Sequence, residues 1–179
     1  MLNPRKVRGG LTVRTLTAAA MLTAMSVVIG IFCKTVLNFG NGLFRITFEN
    51  LPILLSGLLY GPFVGGMVGI CSDLVSYLLS AQSYPPNLIV TAGACLIGVL
   101  SGAMGKILAC RGRRTRIVLS CAIAHLVGSV VVKSIGLYQF YGMLVLWRIP
   151  VYLVVATLEI TVLCLLLGRE SFRKLMKYE

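Results

Sequence analysis

Seven ionisable residues interrupt otherwise apolar stretches of this sequence and are the first candidates for chemistry. They are the basic residues Lys34, Arg45, Lys133 and Arg148 and the acidic residues Glu49, Asp73 and Glu159. An ionisable side chain within a long apolar segment is costly, so it usually faces a protein interior or a water-filled cavity and marks a functional site. Leaving aside the more deeply placed Glu159, the four basic residues outnumber the two acidic ones. The set therefore favours a site for an anionic solute over a site for a cation.

Internal pairing is the alternative interpretation of these charges. Arg45 and Glu49 are four residues apart, which is the spacing at which opposite charges meet on one face of a helix. On this interpretation the two side chains would neutralise each other and bind no solute.

The composition indicates which solvent surrounds the elements that position these residues. The chain has 179 residues, of which 58% are hydrophobic and 12% are charged, whereas soluble domains carry about 25% charged residues. A domain of this size cannot bury so much apolar surface within itself, so lipid must solvate its outer face. At about 20 residues per crossing, the spans would use nearly the whole chain and leave no room for a soluble catalytic or nucleotide-binding domain. We expect an all-α integral membrane protein, folded as a bundle of six transmembrane helices.

The apolar pattern and its interruptions predict the limits of the six spans. The spans are Thr15–Val36, Ile46–Tyr60, Phe63–Ser80, Leu88–Leu108, Ile117–Tyr138 and Leu144–Leu167. The breaks between them have turn chemistry. Asn38–Gly42 is a loop, Gly61-Pro62 is a tight turn between two short spans, and Tyr84–Asn87 contains two prolines that cannot continue a helix.

The remaining basic residues predict the orientation of the bundle. Thirteen of the 17 lie in three clusters, at residues 5–14, 106–116 and 169–177. Six spans place all three clusters on one side, which the positive-inside rule makes the cytoplasm. The net charge of +12 is then mostly a topology signal, and we expect no nucleic-acid partner. We expect one membrane domain over residues 1–179, with basic cytoplasmic termini at 1–14 and 168–179 around a bundle at 15–167.

Small residues are spaced for close helix contacts. Ala20 and Ala24 lie one turn apart on the first span, and a surface of this kind lets helices approach closely within lipid. An external partner and packing within the bundle explain these alanines equally well. For the glycines that recur every four residues at Gly57, Gly61, Gly65 and Gly69, we predict packing within the bundle.

Catalytic and metal-binding motifs are absent from the sequence. There is no GxxxxGK[ST] phosphate-binding loop, so the chain cannot drive transport with its own ATP hydrolysis, and there is no HExxH or Ser/His/Asp set. The single histidine, His125, sits in an apolar run and is predicted to be a packed, hydrogen-bonded residue. No CxxC or Cys/His cluster suggests a metal site or a disulfide framework. We therefore expect a protein that is not an enzyme and has no cofactor and no metal.

Two segments resemble a known family of membrane proteins. In the first, from Phe44 to Asp73, Arg45-Ile-Thr-Phe leads through Leu51-Pro52 and Gly57-Leu-Leu-Tyr-Gly-Pro62 to an embedded aspartate. The second runs from Pro86 to Gly98. Both are similar to helices of the substrate-binding S components of energy-coupling factor (ECF) vitamin transporters, and most of all to the folate-type branch, FolT.

This resemblance implies a function and a set of partners. The chain would be the high-affinity folate-binding subunit of an ECF-type ABC importer in a bacterial cell membrane, with its site near the outer face. A transmembrane coupling protein and two cytoplasmic ATPases would supply the energy, and ATP would be used only by those partners. Ala20 and Ala24 match the patch with which S components dock on the coupling protein. The family is thought to move its substrate by toppling of the whole S component.

The chemistry of folate assigns roles to the candidate residues. Glu49, Asn50 and Asp73 suit the adjacent N–H donors of a pterin ring, aromatic faces suit its stacking, and arginine suits the glutamate carboxylates. The loops Asn38–Gly42 and Ser83–Asn87 could act as lids, and Phe39 is a further aromatic candidate. The expected substrate-binding residues are Arg45, Glu49, Asn50, Asp73, Tyr77, Tyr84, Asn87, Lys133 and Arg148.

Three alternatives stay open. One is an S component for another vitamin, such as pantothenate, which is smaller and has no pterin ring. Another is a small integral-membrane enzyme acting on lipids or isoprenoids, although the five acidic residues form no obvious catalytic motif. The third is a purely structural subunit, which has little reason to bear the cost of embedded charges.

Overall fold

The chain is helical over almost all the residues that the structure, a computed structural model, describes: 12–36, 38–39, 44–45, 47–79 and 87–168. Side chains are not described at 38–39, 44–45, 139–141, 144 and 146–148. In chain order the elements are α1 (Val13–Val36), β1 (Asn38–Phe39), β2 (Phe44–Arg45), α2 (Asn50–Tyr60), α3 (Pro62–Leu79), α4 (Leu88–Ile107), a 3-10 turn (Leu108–Cys110), α5 (Arg113–His125), a π-helical segment (Leu126–Lys133), α6 (Ser134–Tyr141), a 3-10 segment (Gly142–Trp147) and α7 (Arg148–Gly168).

Helices of membrane-spanning length dominate this architecture. Within the described ranges, five helical stretches are long and apolar enough to cross a bilayer: Val13–Val36, Pro62–Leu79, Leu88–Cys110, Arg113–Tyr138 and Ile149–Gly168. The shorter apolar helix α2 is the sixth element of the bundle. The expected all-α membrane bundle is confirmed, and the cytoplasmic placement of the two termini stays a prediction.

The second span is shorter than the sequence predicted. Helix α2 begins at Asn50 and not at Ile46, because the chain just before it is extended: β2 pairs with β1 in a small antiparallel hairpin. Its 11 residues rise only about 16 Å, roughly half of a hydrocarbon core of about 30 Å. Residues 52–59 are all buried, so α2 lies inside the bundle and needs no polar face.

The same boundary changes the interpretation of Arg45 and Glu49. Arg45 lies in β2, whereas Glu49 immediately precedes α2. The two residues therefore do not share a helix face, and the alternative of helical i,i+4 neutralisation is wrong.

The predicted turn at Gly61-Pro62 is confirmed. Helix α2 ends at Tyr60 and α3 begins at Pro62, the first helical position, where proline loses no hydrogen bond. Gly61 has φ +90°, a left-handed conformation that costs glycine nothing. The turn reverses the chain, so α2 packs against α3.

Glycines set the distance of α2 and α3 from α4. A Cβ at Gly65 would come within 2.5 Å of the carbonyl oxygen of Gly98, and a Cβ at Gly98 would overlap the backbone of Gly65. Gly57 and Gly69 face α4 just as closely, at Gly98 and Ala94. The predicted packing role of these glycines is confirmed. Above and below this contact, apolar side chains of α2, α3, α4, α5 and α7 form the buried core.

The last two predicted spans differ from the structure at their limits. The fifth span begins at Arg113, four residues before the predicted Ile117. It consists of α5, the π-helical segment and α6. The sixth predicted span begins at Leu144, but residues 142–147 form a 3-10 segment and α7 begins only at Arg148. Gly142, at φ +55°, ends α6, and Pro150 falls in the first turn of α7, where it is tolerated.

Candidate functional site

Glu49, Asn50 and Lys133 form a polar cluster inside the bundle, in which the Glu49 side chain is partly buried, at 19% exposure. The ammonium group of Lys133 donates a hydrogen bond to Asn50 Oδ1 at 3.0 Å and to Glu49 Oε1 at 3.4 Å. Lys133 and Asn50 are each only 6% exposed. These contacts join the start of α2 to the end of the π-helical segment, more than 80 residues away in sequence, so the fold and not local sequence assembles the cluster.

The backbone around Lys133 explains how a long cationic side chain reaches this interior. Lys133 ends the π-helical segment, whose i→i+5 turns are wider than those of an α-helix and often occur at functional sites. Opposite it, Gly93 of α4 leaves room for the lysine stem: a Cβ there would lie 2.9 Å from Lys133 Cγ. The aliphatic part of Lys133 thus packs against α4, and its ammonium group reaches Glu49 and Asn50.

Lys34 joins the cluster, although sequence reasoning did not select it as a site residue. Its ammonium nitrogen lies 3.9 Å from Glu49 Oε2, so one carboxylate faces two cations, Lys34 and Lys133. The position of Lys34 near the end of a long apolar segment, in the last turn of α1, was the available signal. The single carboxylate of Glu49 is thus shared between two ammonium groups.

Asp73 lies on α3 and is hydrogen-bonded to α4. Thr91 of α4 donates a hydrogen bond to Asp73 Oδ2 at 2.6 Å. Asp73 is also close enough to interact electrostatically with Lys133. Tyr77 lies one turn further along α3 and is partly buried, so it shares the helix face of Asp73.

Asn87 holds two helices together. Its Oδ1 accepts a hydrogen bond from the Ile89 N–H at 2.9 Å, which caps the N-terminus of α4. Its Nδ2 donates to the carbonyl oxygen of Gly136 in α6 at 2.7 Å. Both functional groups of this predicted binding residue are thus engaged within the protein.

Other predicted site residues lie partly or wholly outside the described residues. Arg45 is in β2 and Arg148 is the first residue of α7, but their side chains are not described. Phe39 is in β1 with its side chain likewise not described, and Tyr84 lies outside the described residues altogether. The same holds for residues 40–42 and 83–86 of the two loops predicted to be lids.

The alanines assigned to partner docking lie on the outside of the bundle. Ala20 and Ala24 are both exposed on α1. Met21 and Met25 beside them are exposed to 70% and 49%. This part of α1 thus presents small and flexible apolar side chains that none of the described elements covers.

The cluster has a definite chemical capacity. The Glu49 carboxylate can accept two adjacent N–H donors, and the Asn50 amide can both donate and accept. The two lysines supply charge for an anion. Among the described residues, no group of three or more His, Cys, Asp and Glu side chains is placed to hold a metal ion.

Comparison with known proteins agrees with this architecture. The family model of the ECF transporter, substrate-specific component, matches residues 14–176. The crystal structure of FolT bound with folic acid is similar with a TM-score of 0.63 and 20% sequence identity, over 85% of this chain and 89% of that chain. A search of curated proteins finds no match.

These findings define the class of protein. The matched family consists of the substrate-binding subunits of a class of membrane transporters and is not a class of enzymes. Since the family model covers nearly the whole sequence, the chain belongs to the substrate-specific component family of ECF transporters. The resemblance inferred from residues 44–98 is confirmed, and the fold is that of FolT.

Proposed function

We propose that this chain binds folate for an ECF-type importer of a bacterial cell membrane. The observation that carries the proposal is the polar cluster in which Lys133 contacts both Glu49 and Asn50, within a fold shared with FolT, whose crystal structure contains folic acid. A packed membrane bundle has no need of such a cluster for stability alone, since ionisable groups within a membrane are costly.

The pterin end of folate matches the acidic and amide groups of the cluster. A pterin ring carries an amino group beside a ring N–H, and a carboxylate accepts such a pair of donors. Glu49 supplies the carboxylate, and the Asn50 amide forms hydrogen bonds with a neighbouring donor and acceptor of the pterin ring. Lys133 holds both side chains in place through the hydrogen bonds at 3.4 Å and 3.0 Å. Asp73, which accepts a hydrogen bond from Thr91, is proposed as a further acceptor for the pterin donors.

The glutamate end of folate matches the positive charge of the same region. It carries two carboxylates, and arginine binds carboxylates in a bidentate manner. Arg45 in β2 and Arg148 at the start of α7 are the proposed partners, with Lys34 and Lys133 adding to the favourable potential. Tyr77, and Tyr84 in the loop before α4, are proposed to stack on the ring system.

Delivery into the cell requires partners. The exposed alanines Ala20 and Ala24 on α1 are proposed to dock on the transmembrane coupling protein, because small residues let two helices approach closely in lipid. Two cytoplasmic ATPases bound to that protein would supply the energy. Toppling of the whole subunit is the proposed route by which the site reaches the cytoplasm.

Isothermal titration calorimetry of the purified protein in detergent micelles tests the proposed substrate. Folic acid, 4-aminobenzoyl-glutamate and pantothenate should be compared, since the second lacks the pterin ring and the third lacks both the ring and the glutamate. We expect tight binding of folic acid. Glu49→Gln should weaken it by about tenfold to a hundredfold, the range expected for a lost hydrogen bond to a charged group.

The two shorter compounds, 4-aminobenzoyl-glutamate and pantothenate, test which residues bind the pterin end of folate and which bind the glutamate end. Binding of 4-aminobenzoyl-glutamate should change little in Glu49→Gln, because it has no pterin donors. Tight binding of pantothenate with no binding of folic acid would retain the transporter class and reject the substrate. Mass spectrometry of ligand released from freshly purified protein gives an independent identification.

A further inference from the structure

Three residues of α1, spaced four apart, all contact Glu49. Ser26 Oγ donates a hydrogen bond to the Glu49 carbonyl oxygen at 2.6 Å. Lys34 Nζ lies 3.9 Å from Glu49 Oε2. Between them, Gly30 faces the same side chain: a Cβ at Gly30 would lie 3.0 Å from Oε2 and 3.5 Å from Glu49 Cβ. Residues at i, i+4 and i+8 form one stripe along a helix, so this stripe of α1 faces Glu49 over its whole length, with Ser76 also near Gly30.

Glu49 does not use its side chain to cap α2. It stands at the N-cap position of α2, where Ser, Thr, Asp or Asn side chains commonly accept a hydrogen bond from the first turn. Here the Glu49 side chain makes no such capping bond. A glutamate side chain has considerable conformational freedom, which must be restricted before it can act in recognition. Its carboxylate is instead held between α1 and Lys133.

We propose that Ser26, Gly30 and Lys34 are positioning residues that fix the Glu49 carboxylate for substrate binding. Ser26 holds the backbone, Lys34 holds one carboxylate oxygen, and Gly30 leaves the space that the carboxylate occupies. The role in substrate affinity rests on the proposed function, whereas the fixed orientation of Glu49 does not.

Gly30 provides the sharpest test because it separates binding from folding. Alanine is a better helix former than glycine, so Gly30→Ala favours α1 as a helix. The added methyl group would nevertheless press on Glu49 Oε2, since 3.0 Å is shorter than an ordinary carbon–oxygen contact. The variant should therefore fold as well as the parent protein and bind its substrate less tightly.

Calorimetry with folic acid should compare Gly30→Ala, Lys34→Met and Ser26→Ala, each alone and combined with Glu49→Gln. We expect each single variant to weaken binding by about tenfold or less. In the Glu49→Gln background, the same changes should have less than about a twofold effect, because the residues act through Glu49. Gly168→Ala is the matched control, since no atom of the described residues lies within 4 Å of a Cβ at Gly168. Undiminished affinity in Gly30→Ala, or effects of equal size in both backgrounds, would overturn the proposal.

A second measurement does not depend on the substrate. The unfolding midpoints of the parent, Lys34→Met, Glu49→Gln and the double variant form a double-mutant cycle. We expect a favourable Lys34–Glu49 coupling that shrinks when Gly30→Ala is present. If the parent protein binds no folic acid, the proposed substrate fails while this cycle still decides whether α1 positions Glu49. If the effects of Lys34→Met and Glu49→Gln on the unfolding midpoint simply add in the double variant, the positioning role is rejected.

Discussion

His125 Nε2 lies 2.8 Å from Glu159 Oε2, and this contact joins α5 to α7 in the interior of the bundle. His125 is 3% exposed and Glu159 is fully buried. On its other side, His125 Nδ1 lies 3.4 Å from Ser129 Oγ in the π-helical segment. The predicted role of His125 as a packed, hydrogen-bonded residue is confirmed. The pair therefore links the last helix to the element that ends at Lys133.

Replacing one partner of this pair should destabilise the bundle. Removing one member of a buried ion pair costs roughly 3–5 kcal/mol in soluble proteins, whereas polar contacts between membrane helices contribute about 2 kcal/mol at most. We expect Glu159→Leu to reduce the free energy of unfolding by about 2 kcal/mol, the upper end of the membrane-helix range. Chemical unfolding in detergent micelles measures this change.

The double variant His125→Leu/Glu159→Leu is the control for that experiment. It leaves neither an unpaired carboxylate nor an unpaired imidazole in the core, so it should be less destabilised than the sum of the two single variants. Strictly additive losses would mean that the two residues do not act as a pair.

The glycine contact between α3 and α4 should be intolerant of a single methyl group. A Cβ at Gly98 would overlap the carbonyl oxygen of Gly65, and neither atom belongs to a flexible side chain. Gly98→Ala should therefore separate the helices and cost about 1–3 kcal/mol, the usual range for overpacking. The expected result is a lower midpoint of thermal unfolding in detergent.

Gly112→Ala serves as the comparison for Gly98→Ala. Among the described residues, a Cβ at Gly112 would meet only the Thr115 side chain, at 3.9 Å, which is an ordinary contact. The midpoint of this variant should stay near that of the parent protein. An equal loss in both variants would show that the close α3–α4 contact is not the cause.

Thr91 should influence substrate binding through Asp73. Its hydroxyl group donates to Asp73 Oδ2 at 2.6 Å, and Thr91→Val removes that donor while keeping nearly the same side-chain shape. A hydrogen bond to a charged group is worth about 1.5–3 kcal/mol. If Asp73 contacts the ligand, we expect the affinity for folic acid to fall by at least about tenfold in calorimetry.

Thr91→Ser is the rescuing variant for this prediction. It restores the hydroxyl donor with one methyl group fewer, so binding should return close to the parent value. If Thr91→Val binds folic acid normally, Asp73 has a structural role and does not contact the ligand.

Much of the bundle was predictable from local sequence, because membrane length and turn chemistry are local properties. The turn at Gly61-Pro62 and the start of α4 after Asn87 follow from proline and from capping chemistry. The late start of α2 did not follow, because the hairpin of 38–39 with 44–45 depends on a pairing that hydropathy does not encode. The π-helical segment that ends at Lys133 was equally unpredictable from the sequence, since a pattern with a period of 3.6 residues assumes a regular helix.

The site was predictable in its residue types but not in its contacts. The cost of an embedded charge singled out Glu49, Asp73 and Lys133, yet nothing in the sequence pairs Lys133 with Asn50 across more than 80 residues. Lys34 was visible as an embedded charge but was not chosen. The four-residue spacing from Ser26 through Gly30 to Lys34 acquires meaning only once Glu49 is seen beside it.

The exposed face of α1 should be needed for assembly and not for substrate binding. Ala20 and Ala24 are exposed on α1, away from the stripe that contacts Glu49, and a bulky side chain there would prevent close approach of a second helix. We expect Ala20→Trp/Ala24→Trp to bind folic acid with unchanged affinity and to lose co-purification with the coupling protein when the two are expressed together. Leu78→Trp is the matched control, because Leu78 is also a strongly exposed residue, 77% exposed, on a different helix, α3. Retained co-purification of the α1 variant would place the docking surface elsewhere on the bundle, whereas loss of folic acid binding would show that this face also supports the site.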